Sequence, residues 1–210
     1  MRIALALAAV VAGPMATPDV SHLVLRPQQV GATFVMLAQK NGNLVNGQVT
    51  LNLCGSGYAS ERFRTKRLQV NYASVEMPTA ISNEVVTYRS GGAAQAMREV
   101  TRRAATCPNH PIDSGDKTLP KVTFRLTRVS DPHLLKGYLA VRVDTTGIIK
   151  GKQIAQTSYA VYQRYGNVLS GIYSFGGDSD SQRALALHAA EQSARNLRLG
   201  DSGALSGPTA

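Results

Sequence analysis

The chain has 210 residues, of which 43% are hydrophobic and 17% charged, a balance that indicates a folded globular protein and excludes an intrinsically disordered one. Its formal net charge of +10 favours polyanionic partners, although charge spread over solvated faces gives the same total. Only 6% of the residues are aromatic and none is tryptophan, which counts against a surface that stacks sugars or nucleic-acid bases.

The amino-terminal segment MRIALALAAVVAGPMA places one arginine before an apolar run and then ends in small residues. This outline is typical of a secretory signal peptide, so residues 1–16 are predicted to be one, with a buried N-terminal helix as the alternative. No later segment reaches the ~20 apolar residues that a membrane span needs. We therefore expect a single domain over residues 17–199 that is secreted or works extracytoplasmically in the cell envelope.

Cys54 and Cys107 are the two cysteines of the chain. In an oxidising compartment an isolated pair is most simply one disulfide, which here would close a loop of about 53 residues. A redox pair or a metal site is the alternative, but there is no CxxC motif and His110 is the one histidine nearby.

The first half, residues 23–107, is predicted to begin with a hairpin that turns near Asn41-Gly42 and returns over Gln48 to Leu53. It continues with a short helix from Ser60, a half-buried strand over 68–72, a strand over 84–88, and an amphipathic helix from Gly91-Gly92 to Cys107.

Residues 108–120 are rich in proline, glycine and polar residues and are predicted to be a linker. The second half, residues 121–199, is predicted to contain strands in KVTFRLTRV and GYLAVRV, a hairpin turning at Gly166-Asn167, and a final amphipathic helix, followed by a disordered tail at 200–210. Tight hairpins make neighbouring strands antiparallel, so we predict an α+β fold of two similar halves, each closed by a helix, with the helices packed on one face of an antiparallel sheet.

Several short stretches match one known family. They are NLCG at the end of a strand, SERFRTKRLQV, SNEVV, GGAAQAMREV with TCP after it, AVYQRYGNVLSGIYS, and a final alanine-rich helix. In this order they resemble the extracytoplasmic sensor-domain proteins of actinobacteria, relatives of the PknH-like kinase sensor domain. The resemblance covers nearly all of the predicted domain. It implies an antiparallel sheet flanked by helices, a cleft for an unidentified ligand, and no catalysis. The chain departs from the kinase-linked members, which carry two disulfides, and no kinase domain or membrane helix is expected here.

Two stretches are candidate ligand-binding sites. In the first, a helix from Ser60 would place Arg62, Lys66 and Arg67 on one side, and with Arg64 these cations would bind carboxylate or phosphate groups. A solvated face, or internal pairing with Glu61 and Glu84, is the alternative. In the second, SNEVVTYRSGG, polar residues at strand ends beside a helix start are predicted to line a cleft, with ordinary sheet ends as the alternative. The candidates there are Asn83, Glu84, Tyr88 and Arg89.

No catalytic residue, cofactor or metal is predicted. The four histidines are scattered, and GxSxG, HExxH and P-loop motifs are missing. Asp178 and Asp180 are predicted to cap the last helix rather than to bind calcium.

The predicted function is a non-enzymatic ligand-binding or sensing domain for an anionic small molecule or wall polymer, with no specific nucleic-acid partner. A structural or protein-interaction role in the envelope, and a hydrolase whose site assembles only in three dimensions, are the alternatives.

Overall fold

The computed structural model describes residues 19–37, 39–46, 53–55, 57–113, 121–149 and 151–204. The predicted signal peptide, most of the predicted strand over 48–53 and most of the linker lie outside them. The described elements are, in chain order, α1 (Pro27–Val30), β1 (Phe34–Leu37), a 3-10 helix (Ala59–Phe63), β2 (Arg64–Ser74), β3 (Ala80–Tyr88), α2 (Gly92–Ala105), β4 (Val122–Arg128), β5 (Leu139–Ile149), β6 (Lys152–Tyr165), β7 (Val168–Phe175) and α3 (Ser179–Ala204).

The strands form one seven-stranded sheet in the order β1-β2-β3-β7-β6-β5-β4, and every neighbouring pair is antiparallel. The β6–β7 hairpin turns at Gly166 and Asn167 as predicted, and Gly166 has the positive φ of 54° that glycine adopts without strain. The pairing of β3 with β7 joins the β2–β3–α2 unit to the β6–β7–α3 unit. The predicted α+β fold is therefore confirmed.

The prediction that the helices share one face of the sheet is wrong. Ala96 and Val100 of α2 pack in the same core cluster as Val86 and Tyr162, whereas α3 packs in a second cluster on the opposite face. The reason lies in β3, where Val85 and Val86 face opposite sides of the sheet and both are fully buried. A strand that is apolar on both faces requires a covering layer on each side.

Several element boundaries differ from the prediction, and both β2 and β3 begin four residues earlier than expected, at Arg64 and Ala80. The short helix before β2 ends at Phe63, and Arg64 already belongs to β2, so Lys66 and Arg67 are strand residues. The last helix extends to Ala204, which makes residues 200–204 helical although the sequence assigns them to a tail. Within the described part of the chain, no helix combines the length and the apolar character that crossing a bilayer requires.

The predicted disulfide between Cys54 and Cys107 is present, with the two Cα atoms 5.7 Å apart. It connects the segment that precedes the 3-10 helix to the chain just after α2. Nη2 of Arg103, on α2, donates a hydrogen bond of 2.7 Å to the carbonyl oxygen of Cys54 beside this link. The disulfide thus holds α2 against the chain that enters β2.

Candidate functional site

A cleft of about 470 Å³ opens on the face of the sheet against which α2 packs. We call it the α2-face cleft. Its floor is built from β2, β3 and β7, because residues directly opposite each other in an antiparallel pair project to the same face. Gln69 lies opposite Glu84, and Asn71 lies opposite Ser82, which in turn lies opposite Tyr173. The volume falls within the range of small-molecule sites.

The deep end of the cleft is built on a buried ion pair. Nε of Arg67 donates to the carboxylate of Glu84, and the two side chains are only 4% and 3% exposed. Nη2 of Arg67 donates to Gln69, whose own amide donates to the Ser82 hydroxyl at 3.0 Å. One positive and one negative charge therefore neutralise each other at the floor.

The same guanidinium holds one wall of the cleft. Nη1 of Arg67 donates to the carbonyl oxygens of Asn41, Gly42 and Leu44 at 3.3, 3.0 and 3.5 Å, all in the loop over residues 39–46. A Cβ atom on Gly42 would lie 2.7 Å from the carbonyl oxygen of Gln69, so the loop backbone packs directly on β2. Arg67 consequently works as a structural cation that faces inward.

Aromatic rings close the cleft on the β7 side. Tyr173 and Phe175 stack with ring centroids 6.5 Å apart and an interplanar angle of 15°, and Tyr173 meets Tyr162 edge to face at 5.7 Å. Burial raises the pKa of both tyrosine hydroxyls above the ordinary value. Tyr173 and Phe175 thus add aromatic surface to the cleft, and the Tyr173 hydroxyl adds no charge near neutral pH.

Of the predicted site residues, the structure brings Arg67 and Glu84 together in the cleft. Arg62 and Arg89 are exposed and lie over the Phe63 ring, 4.7 and 5.8 Å from its centroid, outside the cleft. Arg64 is buried and forms an ion pair of 3.0 Å with Glu61.

The remaining predicted residues lie elsewhere. Lys66 pairs with Thr87 on the α3 face of the sheet, because neighbouring strand residues alternate between faces. Tyr88 is only 3% exposed and packs in the α2 core cluster. The expectation that Arg62, Lys66 and Arg67 share one side is therefore wrong. It required the helix to continue through Arg67, but the chain is a strand from Arg64 onwards.

Asn83, the last predicted residue, is fully buried on the α3 face. Its amide oxygen accepts a hydrogen bond of 2.8 Å from the backbone N–H of Leu25, and its amide nitrogen donates to Ser170 and to the carbonyl oxygen of Gly171. It therefore ties the amino-terminal segment to the sheet, which is a structural role.

Replacing Asn83 tests that role. We expect Asn83→Leu to lower the free energy of unfolding by roughly 2–3 kcal/mol, because it leaves buried groups without partners. Binding in the α2-face cleft should be retained by the folded variant. Urea denaturation measures the first effect, and the exposed Asn109→Leu, which should stay within about 0.5 kcal/mol of the parent, is the control. Equal stability of the two variants would contradict the structural role.

Sequence reasoning missed Gln69, Asn71, Ser82, Tyr173 and Phe175. The sequence did contain a pattern that could have indicated them: polar residues occupy every second position of β2, at Arg67, Gln69 and Asn71. The same pattern is equally typical of a strand face that is exposed to solvent. What the sequence did not show was that β3 and β7 contribute further polar and aromatic side chains on the same face.

One group with metal-ligand chemistry lies away from the cleft. Nδ1 of His133 is 3.2 Å from Asp131 and 3.5 Å from Glu191, and one ligand atom of each residue lies within 4.8 Å of the others. The His133 side chain is 70% exposed. The backbone N–H of His133 also donates to Asp131 at 2.8 Å, so a local turn accounts for the contact between these two residues. Asp178 accepts hydrogen bonds of 3.0 Å from the backbone N–H groups of Asp180 and Ser181 and so caps α3.

A second hollow, of about 700 Å³, lies between the amino-terminal segment, the β6–β7 turn and the end of α3. It is lined mainly by apolar surface, which includes Val20 and Leu23 of the amino-terminal segment and Leu197 and Leu199 of α3. The α2-face cleft has the more specific arrangement of polar groups and is the stronger candidate.

No protein-family model matches the chain, and no curated protein matches its sequence. Among solved structures, the chain is similar to the extracellular domain of PknH from Mycobacterium tuberculosis, with 11% sequence identity and a TM-score of 0.52. The similarity covers 83% of this chain and 94% of that chain. At this identity the likeness shows the fold alone: the chain has the fold of the PknH extracellular domain.

Proposed function

We propose that this protein is a non-catalytic ligand-binding or sensing domain that works outside the cytoplasm, and that the α2-face cleft is its binding site. The observation that carries the proposal is the cleft itself, a concave site with a polar floor and an aromatic wall. Concave sites with a few placed polar groups are the usual form of small-molecule sites. The finer assignment, to the actinobacterial sensor-domain proteins, rests on the sequence motifs and on the shared fold.

Two observations support the extracytoplasmic location. The Cys54–Cys107 disulfide is of a kind that persists in oxidising compartments. The fold is also that of a domain described as extracellular. A secreted or envelope location, reached by way of the predicted signal peptide, fits both.

The hydrolase alternative requires a nucleophile within hydrogen-bond reach of a base. Ser82 is the serine on the cleft floor, and its hydroxyl accepts a hydrogen bond of 3.0 Å from the side-chain amide of Gln69. No histidine is among the described residues that line the cleft. The contacts of Ser82 thus favour binding over hydrolysis.

The anionic character of the ligand stays a prediction, and the positions of the exposed cations favour a surface other than the cleft for an anionic ligand. Arg67 is satisfied internally, whereas Arg62 and Arg89 are exposed. An anionic wall polymer would therefore bind at the Arg62–Arg89 surface rather than on the cleft floor.

A protein-interaction role is favoured by one observation, the edge strand β1, where Val35 and Met36 are 47% and 58% exposed.

Thermal melting of the oxidised full chain tests the proposal. The probes are inorganic phosphate, glycerol 1-phosphate, N-acetylglucosamine and octyl glucoside, each at low and high salt. A compound that binds only the folded state at a hundred times its Kd should raise the Tm by roughly 5–10 °C. Ala80→Phe, which fills the cleft from β3, should abolish the shift, and Ala155→Phe, at an exposed position of β6, should keep it.

A shift that survives both Ala80→Phe and the loss of Arg62 and Arg89, or no shift with any probe, would contradict the cleft as the binding site. A phosphate shift that disappears at high salt and in Arg62→Ala combined with Arg89→Ala would assign anion binding to the exposed arginines.

A further inference from the structure

We infer that the ligand of the α2-face cleft is an amphiphile with an uncharged, hydroxylated head and a hydrocarbon chain. This inference rests on the proposed function, because it names the chemical class that the same cleft takes. It follows from the way in which polar and apolar side chains are arranged along the strands.

The strand register arranges the cleft floor in rows. The outermost row is entirely apolar: Ala80 and Phe175 line the cleft on β3 and β7, and Ala73 and Val35 continue the row beyond the cleft lining on β2 and β1. It crosses three interstrand spacings, or roughly 14 Å. Val35 and Phe175 are 47% and 41% exposed, so this row presents uncovered apolar surface.

The next two rows inward become polar. The second consists of Leu37, Asn71, Ser82 and Tyr173, and the third contains Gln69 opposite Glu84. The floor therefore changes from hydrocarbon at the open end to amide, hydroxyl and carboxylate groups at the deep end. A molecule that satisfies both ends has an apolar tail and a polar head.

The head carries no net charge, for two reasons. Among the described lining residues, Arg67 and Glu84 are the charged pair, and they neutralise each other. The amide oxygen of Asn71 is buried without a hydrogen-bond donor, although its amide nitrogen donates to Gln39 at 2.6 Å. A hydroxylated head supplies a donor to that oxygen once it reaches the amide, whereas a sulfate or carboxylate head offers acceptors only.

Isothermal titration of the oxidised full chain tests the inference with five probes, each below its micelle-forming concentration: glucose, hexyl glucoside, heptyl glucoside, octyl glucoside and sodium octyl sulfate. Each added methylene should tighten binding roughly fourfold, the value for burying one CH₂ group. Octyl glucoside should bind at least ten times more tightly than either glucose or octyl sulfate.

Two variants separate the tail from the head. Phe175→Ser should reduce the dependence of affinity on chain length to less than twofold per methylene. The matched Ile148→Ser, at another exposed apolar strand residue, should leave it unchanged. Asn71→Leu should reduce the preference for octyl glucoside over octyl sulfate from tenfold to below threefold.

Equal affinities for octyl glucoside and octyl sulfate, or affinities independent of chain length, would overturn the inference. If another class of compound gives a melting shift that Ala80→Phe abolishes while the glucosides do not bind, this inference fails and the proposed function stands. If no binding depends on Ala80, both fail.

Discussion

Replacing Arg67 with methionine is expected to lower the free energy of unfolding by about 3–5 kcal/mol, the range for removing one partner of a buried ion pair. The Glu84 side chain is 3% exposed, so its carboxylate would remain buried without the cation that now neutralises it. The three carbonyl oxygens of the loop over residues 39–46 would lose their common donor as well. Urea denaturation at neutral pH measures the change.

Two control variants make this result specific. Arg62→Met removes an exposed arginine of the same basic stretch and should change stability by no more than about 0.5 kcal/mol. Combining Arg67→Met with Glu84→Gln removes the unpaired charge and should recover much of the loss. A loss in Arg67→Met no larger than in Arg62→Met would show that the ion pair is not an organising element of the cleft.

The stability loss in Arg67→Met should also depend on pH. In the folded Arg67→Met variant, burial favours the uncharged form of Glu84. The folded variant therefore binds a proton at Glu84 more readily than the unfolded chain does. Stability falls with rising pH wherever the folded state binds more protons. The difference between Arg67→Met and the parent should therefore shrink as the pH is lowered from 7 towards 5, and a constant difference would contradict this account.

Removal of the disulfide is expected to have the second large effect. Cys54→Ala combined with Cys107→Ala should lower the free energy of unfolding by about 4 kcal/mol, the chain-entropy value for a closed loop of 53 residues. Alanine is the better replacement, because Cys54 is only 1% exposed and serine would bury a hydroxyl there.

The reduced parent protein is the matched control, since it loses the link but keeps both side chains. It should unfold at nearly the same denaturant concentration as the double variant. A loss below about 1 kcal/mol in both forms would mean that contacts such as the hydrogen bond from Arg103 to Cys54 already hold this end of α2 in place.

Much of the fold was predictable because local patterns decide it. The turn at Gly166-Asn167, the alternation of Val122, Phe124 and Leu126, and the apolar stripe of α2 each depend on a few neighbouring residues. The helix that was expected to carry Lys66 and Arg67 shows the limit of such patterns. Ser60 and Glu61 favour the start of a helix, but from Arg64 onwards the chain is extended because β2 pairs with β3. This pairing depends on residues distant in sequence, so the local pattern did not predict it.

By itself the sequence determined the order of the elements from β2 to α3, the β6–β7 hairpin and the α+β class, because apolar periodicity and turn residues act over short distances. It did not predict α1 or the pairing of β1 with β2. The choice of disulfide partners was also settled, since only two cysteines are present. Tertiary structure decided which face of the sheet each helix covers, and it therefore decided which polar residues remain open to a ligand. Gln69 and Asn71 read in sequence as one side of a solvated strand. They became the floor of a cleft only because β3 and β7 add side chains to the same face and the loop over residues 39–46 lies beside it. The alternation of side chains along a strand shows which residues share a face, but it does not show what covers each face.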